Sequence, residues 1–148
     1  NKGIENTLTL LSADMSRNIN IKKTYGKIPN IRCFPNQINQ VFLNILRNAI
    51  QSLENKGVVI INTFSDTLSN IYIQISDNGK GIPAAKINSI FDPRLTAQGN
   101  RVKAGLGLPL SYRMIQMHKG DINIDSEVGK GTTVTIRIPI GEQKVEQR

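Results

Sequence analysis

Apolar residues recur at helical spacing in two early segments. Ile4, Leu8, Leu11 and Met15 predict a helix over residues 2–15. Ile38, Val41, Phe42, Ile45, Ala49 and Leu53 predict a longer amphipathic helix, opened by Pro35-Asn36 and closed by Asn55-Lys56-Gly57 with a glycine stop. Between them, Ile19 and Ile21 alternate with Asn20 and Lys22 as in a short strand, Tyr25 to Asn30 reads as a turn, and Ile31 to Phe34 fits a second short strand. Val58 to Phe64 and Ile71 to Ser76 predict two strands around a polar turn at Asp66 to Asn70, with Ile71, Ile73 and Ile75 on a buried face. A short helix is expected over Ala84 to Ile90. The aperiodic stretch 92–105 has a length at which loops are usually functional or mobile. A helix from Leu108 to His118 follows, then strands over Asp121 to Ser126 and Thr132 to Pro139, the latter with Val134, Ile136 and Ile138 inward. Hairpin-like strand pairs separated by helices predict a two-layer α/β (α+β) sandwich: a mixed, mainly antiparallel sheet with helices on one face.

Length changes this picture little. The 148 residues suit one domain with a continuous core, expected over 1–140, and a polar, loose tail over 141–148. The chain starts at Asn1 rather than methionine, so it is expected to be a fragment. No apolar run approaches the roughly 18 residues that cross a membrane, and no secretory leader is visible. One cysteine, Cys33, and one histidine leave no internal disulfide and argue against zinc chemistry. The net charge of +8 raises the question of nucleic acid, but the cations are scattered and aromatics are not interleaved with them, so no nucleic-acid partner is expected. Several of these cations could border a polyphosphate site; a solvated basic surface explains them equally.

Three polar features then stand out. Asn44 and Asn48 lie four residues apart in the long helix, with Gln40 a turn before and Gln51 nearly a turn after, so their amides share one stripe. Asparagine costs a helix roughly 0.5–0.7 kcal/mol relative to alanine. A pair of them suggests a polar ligand, or a metal with its waters, above that face; a solvated face is the alternative. Asp77-Asn78-Gly79-Lys80-Gly81-Ile82-Pro83 follows a strand. A carboxylate there accepts only, so it selects an exocyclic amine and rejects a carbonyl, while the glycines let a flat ring approach. Asp-Asn-Gly is also a common turn. Gly105-Leu106-Gly107-Leu108 lies where the loop is expected to enter a helix, and Pro109 then falls in its first turn. Free N–H groups at a helix start suit phosphate oxygens; a flexible hinge is the alternative.

In this order the segments resemble the catalytic, ATP-binding domain of sensor histidine kinases, within the Bergerat-fold superfamily that includes gyrase, Hsp90 chaperones and mismatch-repair ATPases. The resemblance covers about Ile4 to Ile140. Asn44-Ile45-Leu46-Arg47-Asn48-Ala49 matches the N box, Asp77 to Pro83 the G1 box, Ile90-Phe91-Asp92-Pro93 the F box and Gly105 to Leu108 the G2 box. Met117 to Ile122, Ser126 and Gly129-Lys130-Gly131-Thr132-Thr133 resemble the family's closing helix and strand pair.

The resemblance implies that Asn48 helps hold Mg²⁺ through its oxygen, with Asn44 beside it at the triphosphate. It implies that Asp77 binds the adenine amino group, partly through water, with Gly81 near the base. Phe91 would anchor a lid, and Gly105 and Gly107 would let it fold over the phosphates of ATP or ADP. The nucleotide site is expected to include Gln51, Gly79, Ile82, Leu106, Leu108 and Thr133 as well. The usual lid lysine position is Gln98 here and the first glycine of the extended G2 pattern is Lys103, so phosphate contact is expected to pass to Arg94, Arg101 or Lys103. His118, at a helix end before Gly120, has a structural role rather than that of phosphoacceptor.

The function implied is donation of the γ-phosphate from Mg–ATP to a histidine on a helical dimerisation domain outside this chain, then to a response-regulator receiver aspartate. The fragment alone is expected to be monomeric, cytoplasmic and slow to turn over. The alternatives are an ATP-hydrolysing member of the superfamily, a serine-kinase or anti-sigma member, and a nucleotide-binding scaffold. Hydrolysing members carry a glutamate base where Asn44 stands; a carboxamide cannot take that proton.

Overall fold

The computed structural model describes residues 2–11, 18–28, 35–53, 56–66, 69–82 and 102–140, with 102–109 described through their backbone alone. In chain order these form α1 (Lys2–Leu11), β1 (Asn18–Tyr25), α2 (Pro35–Ser52), β2 (Lys56–Asp66), β3 (Asn70–Asp77), α3 (Val102–Met117), β4 (Asp121–Glu127) and β5 (Gly131–Pro139). The strands make one sheet in the order β1-β2-β3-β5-β4. Only β1 and β2 run parallel, and the link between them carries α2, as a parallel crossover requires. The other three pairings are antiparallel.

Alternation along the strands decides which face is covered. Val59, Ile61 and Thr63 of β2, Ile71, Ile73 and Ile75 of β3, and Val134, Ile136 and Ile138 of β5 are buried. They meet Ile4 and Leu8 of α1, Val41, Ile45 and Leu46 of α2 and Ile115 of α3 in one core. The opposite face carries Phe64 and Tyr72, whose rings stack at 5.1 Å, and the hydrogen-bonded pair Ser76 and Thr133. α1 is tied to the edge strand: Lys23 Nζ and the Tyr25 hydroxyl both donate to Glu5 Oε2, at 2.9 and 2.8 Å. The two-layer arrangement matches the one expected from the sequence.

Several boundaries differ. β1 covers eight residues rather than a short piece around Ile19 and Ile21. As an edge strand packed on one side it tolerates Lys22, Lys23 and Thr24, which blunt the alternation. α2 stops at Ser52, and the expected glycine stop, Gly57, lies inside β2. The chain turns instead through Leu53, whose N–H donates to Ile50 and whose carbonyl accepts from Lys56. α3 starts at Val102, six residues before Leu108, so Gly105, Gly107 and Pro109 lie within the helix rather than ahead of it or in its first turn. Val102-Lys103-Ala104 are acceptable helix formers, and glycine costs a helix only about 1 kcal/mol, so neither glycine forces a start after itself. Expectations for Ile31 to Phe34, Ala84 to Ile90 and residues 12–15, 92–101 and 141–148 lie outside the described residues. No helix among the described residues is long and apolar enough to cross a membrane.

Candidate nucleotide site

The site forms where the C-terminal half of α2 meets the end of β3. Asp77 shares the odd-numbered register of Ile71, Ile73 and Ile75, so it projects to the helix-covered face at the last strand position. Its Oδ1 accepts the Ser52 hydroxyl at 2.9 Å and the Gly79 N–H at 2.8 Å. Burial nonetheless outweighs these bonds and the Thr132 N–H, and holds the carboxyl above the usual carboxylate range.

The loop after Asp77 is fixed by neighbouring backbone. A Cβ on Gly79 would overlap Ser52, and Gly81, at φ 78°, approaches the Glu127 carbonyl so closely that a Cβ there would overlap it too. These glycines are therefore required by contacts within the chain, whatever ring approaches them. The Ile82 N–H donates to Ser126 Oγ at 2.8 Å, and the Gly129 N–H to the Lys80 carbonyl at 2.9 Å. The turn joining β4 and β5 thus braces the loop. Ser126 also meets Thr132 Oγ1 and the Gly131 carbonyl, at 2.7 and 2.9 Å.

The two asparagines of α2 differ. Asn44 is buried and engaged at both ends: Gln40 Nε2 donates to its Oδ1 at 3.0 Å, and its Nδ2 donates to the fully buried Ser111 Oγ of α3 at 3.2 Å. Asn48 is half-buried, and its Nδ2 is out of contact with water and has no hydrogen-bond partner. An orphaned buried amide of this kind costs roughly 1–3 kcal/mol, which a ligand would relieve. Rotating the carboxamide exchanges nitrogen for oxygen, so Asn48 offers either a donor for phosphate or an oxygen for a hard cation. Among the described residues no group of three or more His, Cys, Asp or Glu could hold a metal ion. An amide oxygen is a hard donor of the kind Mg²⁺ accepts.

The expected residues are not all brought together. Ser52 and Gly79 meet at Asp77, Gly81 and Ile82 follow in its loop, and Asn48 and Asn44 lie one and two turns before Ser52 on α2. Gln51 is exposed, and the neighbouring Ser52 makes the contact with Asp77. Thr133 pairs with Ser76 on the sheet face away from Asp77, because β5 points its even positions inward, and Thr132 lies opposite Asp77 in register. Gly105 and Gly107 belong to α3; nothing is described of the Lys103, Leu106 and Leu108 side chains, and Phe91 and Arg101 lie outside the described residues. His118 Nδ1 lies 2.8 Å from the Met114 carbonyl oxygen, one helical turn back. Sequence reading missed the roles of Ser52 and Ser111 and gave Ser126 none of its own. A signal existed for each: Ser111 and Ser126 are small polar residues on apolar stripes (with Ile115, and with Ile122 and Ile124), and Ser52 continues the i, i+4 stripe of Asn44 and Asn48.

An open sheet covered by helices on one face, with a carboxylate at a strand end opposite an amide-bearing helix, defines a class of nucleotide-binding sandwich domains. Residues 34–142 match the family described as histidine kinase-, DNA gyrase B- and HSP90-like ATPase, and the chain belongs to that family. It is 35% identical over 139 residues to the sensor histidine kinase ZraS of Escherichia coli, covering 93% of this chain and 29% of that protein. The chain thus spans less than a third of that relative's length. The catalytic domain of histidine kinase ThkA superposes with a TM-score of 0.81 at 23% identity, over 94% of this chain and 92% of that one. Full-length ShkA in complex with AMPPNP gives 0.80 at 22% identity, over 93% of this chain and 29% of that one. The chain is thus a histidine-kinase-type ATP-binding domain with the Bergerat sandwich fold.

Proposed function

We propose that this domain binds Mg–ATP and presents the γ-phosphate to a histidine on a helical domain of its parent protein, on the cytoplasmic side where ATP is found. The AMPPNP complex of ShkA and the relationship to ZraS support this reading. Asp77 accepts the exocyclic amine of adenine, and Asn48 contributes an oxygen to Mg²⁺ or a donor to phosphate. Magnesium, held in part by Asn48, would supply neutralisation of phosphate charge. The histidine nitrogen attacks the γ-phosphorus, the bond to the β-phosphate oxygen breaks, and ADP leaves. A receiver aspartate then takes the phosphoryl group. The chain's own share is positioning and charge stabilisation.

Asn44 carries the choice of transfer over hydrolysis. It stands where hydrolysing members of the superfamily hold a glutamate, and its amide is buried between Gln40 and Ser111. A carboxamide in that place neither accepts a proton nor turns to orient a water as a base. The test is incubation with γ-labelled ATP, with and without the parent's histidine-bearing helical domain. Label on the histidine, with phosphate release near background from the chain alone, is expected; steady release by the chain alone would overturn the proposal in favour of a hydrolase.

A further inference from the structure

Ser52 ends α2 one turn beyond Asn48. Its Oγ lies 2.9 Å from Asp77 Oδ1 and 3.1 Å from the Ala49 carbonyl oxygen. The hydroxyl has one proton, and a carboxylate is the stronger acceptor, so the proton points to Asp77. The same Oδ1 accepts the Gly79 N–H, and the Ser52 carbonyl accepts the Lys80 N–H at 3.4 Å. Gly79 has room against Ser52 only because it lacks a Cβ. One side chain and its carbonyl therefore bind the carboxylate and the loop behind it to the end of α2.

Two donors on a single carboxylate oxygen fix the plane of the group. The Thr132 N–H also reaches the carboxyl, and the second oxygen keeps lone-pair capacity to accept from a base. We propose that Ser52 is a positioning residue for base selection, holding Asp77 Oδ1 so that the second oxygen faces the exocyclic amine of adenine and opposes a 6-oxo group. This rests on the Mg–ATP reading above. An acceptor held against the amine position favours adenine and repels a carbonyl. A carboxylate free to rotate loses that contrast, because water then mediates contact with either base.

The test is calorimetric titration of the 148-residue chain with Mg–ADP and with Mg–IDP, the inosine diphosphate carrying oxygen in place of the amine. The unaltered chain prefers ADP. Ser52→Ala is expected to reduce the ADP-to-IDP affinity ratio about tenfold, the scale of one hydrogen bond to a charged group. Ser52→Thr keeps the hydroxyl and holds the ratio within about twofold. Ser52→Cys, close in size but a weak donor, lowers the ratio as alanine does and serves if the alanine variant is unstable. A purely structural serine would weaken both nucleotides together, so an unchanged ratio in the alanine or the cysteine variant overturns the proposal. Absence of any preference in the unaltered chain, or an unchanged ratio in Asp77→Asn, would instead remove Asp77 as the base reader, and the proposal with it.

Discussion

The two ends of the site are built on opposite terms. At the proposed base end, Asp77 is held by Ser52, Gly79 and Thr132, and its loop is braced by Ser126 and Gly129. At the proposed phosphate end, the Asn48 Nδ2 is buried without a partner among the described residues, and α3 carries two glycines and a proline within its first eight residues, all among the weakest helix formers. The first region is complete within the chain; the second is left for a ligand to complete. Such a division lowers the ordering cost of recognising the base. It places the unsatisfied polar capacity where charge has to be handled.

The strongest way to break the comparison is to disturb the braced end. Gly81→Ala puts a Cβ at φ 78° against the Glu127 carbonyl. We expect a loss of about 3 kcal/mol, a fall of roughly 10 °C in melting temperature. Melting within a degree of the unaltered chain would show that the loop is not fixed by that contact. Next in size is ligand stabilisation. Mg–ADP at a hundred times its Kd should raise stability by about 2.7 kcal/mol. No melting shift at millimolar nucleotide would remove the nucleotide site altogether.

The asparagines sharpen the contrast further. Ser111→Ala strips the buried Asn44 amide of one acceptor and is expected to cost about 1–2 kcal/mol in a denaturant titration. Asn48→Ala removes a buried amide nitrogen without a partner among the described residues and puts the best helix former in its place, so stability should rise by about 0.5 kcal/mol. The same change should abolish the Mg²⁺-dependent part of ATP affinity. A stabilised variant that retained its magnesium dependence would separate Asn48 from the metal.

Legibility in the sequence followed the strength of the local pattern. β3 and β5 were readable because Ile71-Ile73-Ile75 and Val134-Ile136-Ile138 alternate without interruption. β1 was shortened in the reading because an edge strand packs on one side and keeps polar residues. The start of α3 differs from the reading because glycine and proline suggest a boundary, whereas Val102-Lys103-Ala104 are acceptable helix formers and one glycine costs a helix only about 1 kcal/mol. Asp77, Asn44 and Asn48 stand out as candidates because they sit in ordered motifs. Ser52, Ser111 and Thr132 escaped because their contacts join residues 25, 67 and 55 positions apart, a separation no local period encodes.

The smallest effect concerns pH, and its sign follows from the braced carboxylate. Burial raises the Asp77 carboxyl above its ordinary value of 3.8, although its donors oppose the shift. In the interval between the unfolded and folded values the native chain binds a proton that the unfolded chain has lost, so stability falls as pH rises through that interval. The stabilising share is fully present below the unfolded value and is lost above the folded one. Asp77→Asn cannot titrate, so its stability lacks this slope. Melting temperatures at pH 7, 6, 5 and 4 should therefore show the unaltered chain gaining on Asp77→Asn as acid is added, the shift staying modest because the group is only partly buried. The opposite slope would mean that Ser52, Gly79 and Thr132 stabilise the charged form more than burial penalises it. The carboxylate would then belong to the stabilising framework of the domain rather than being held in readiness for a base.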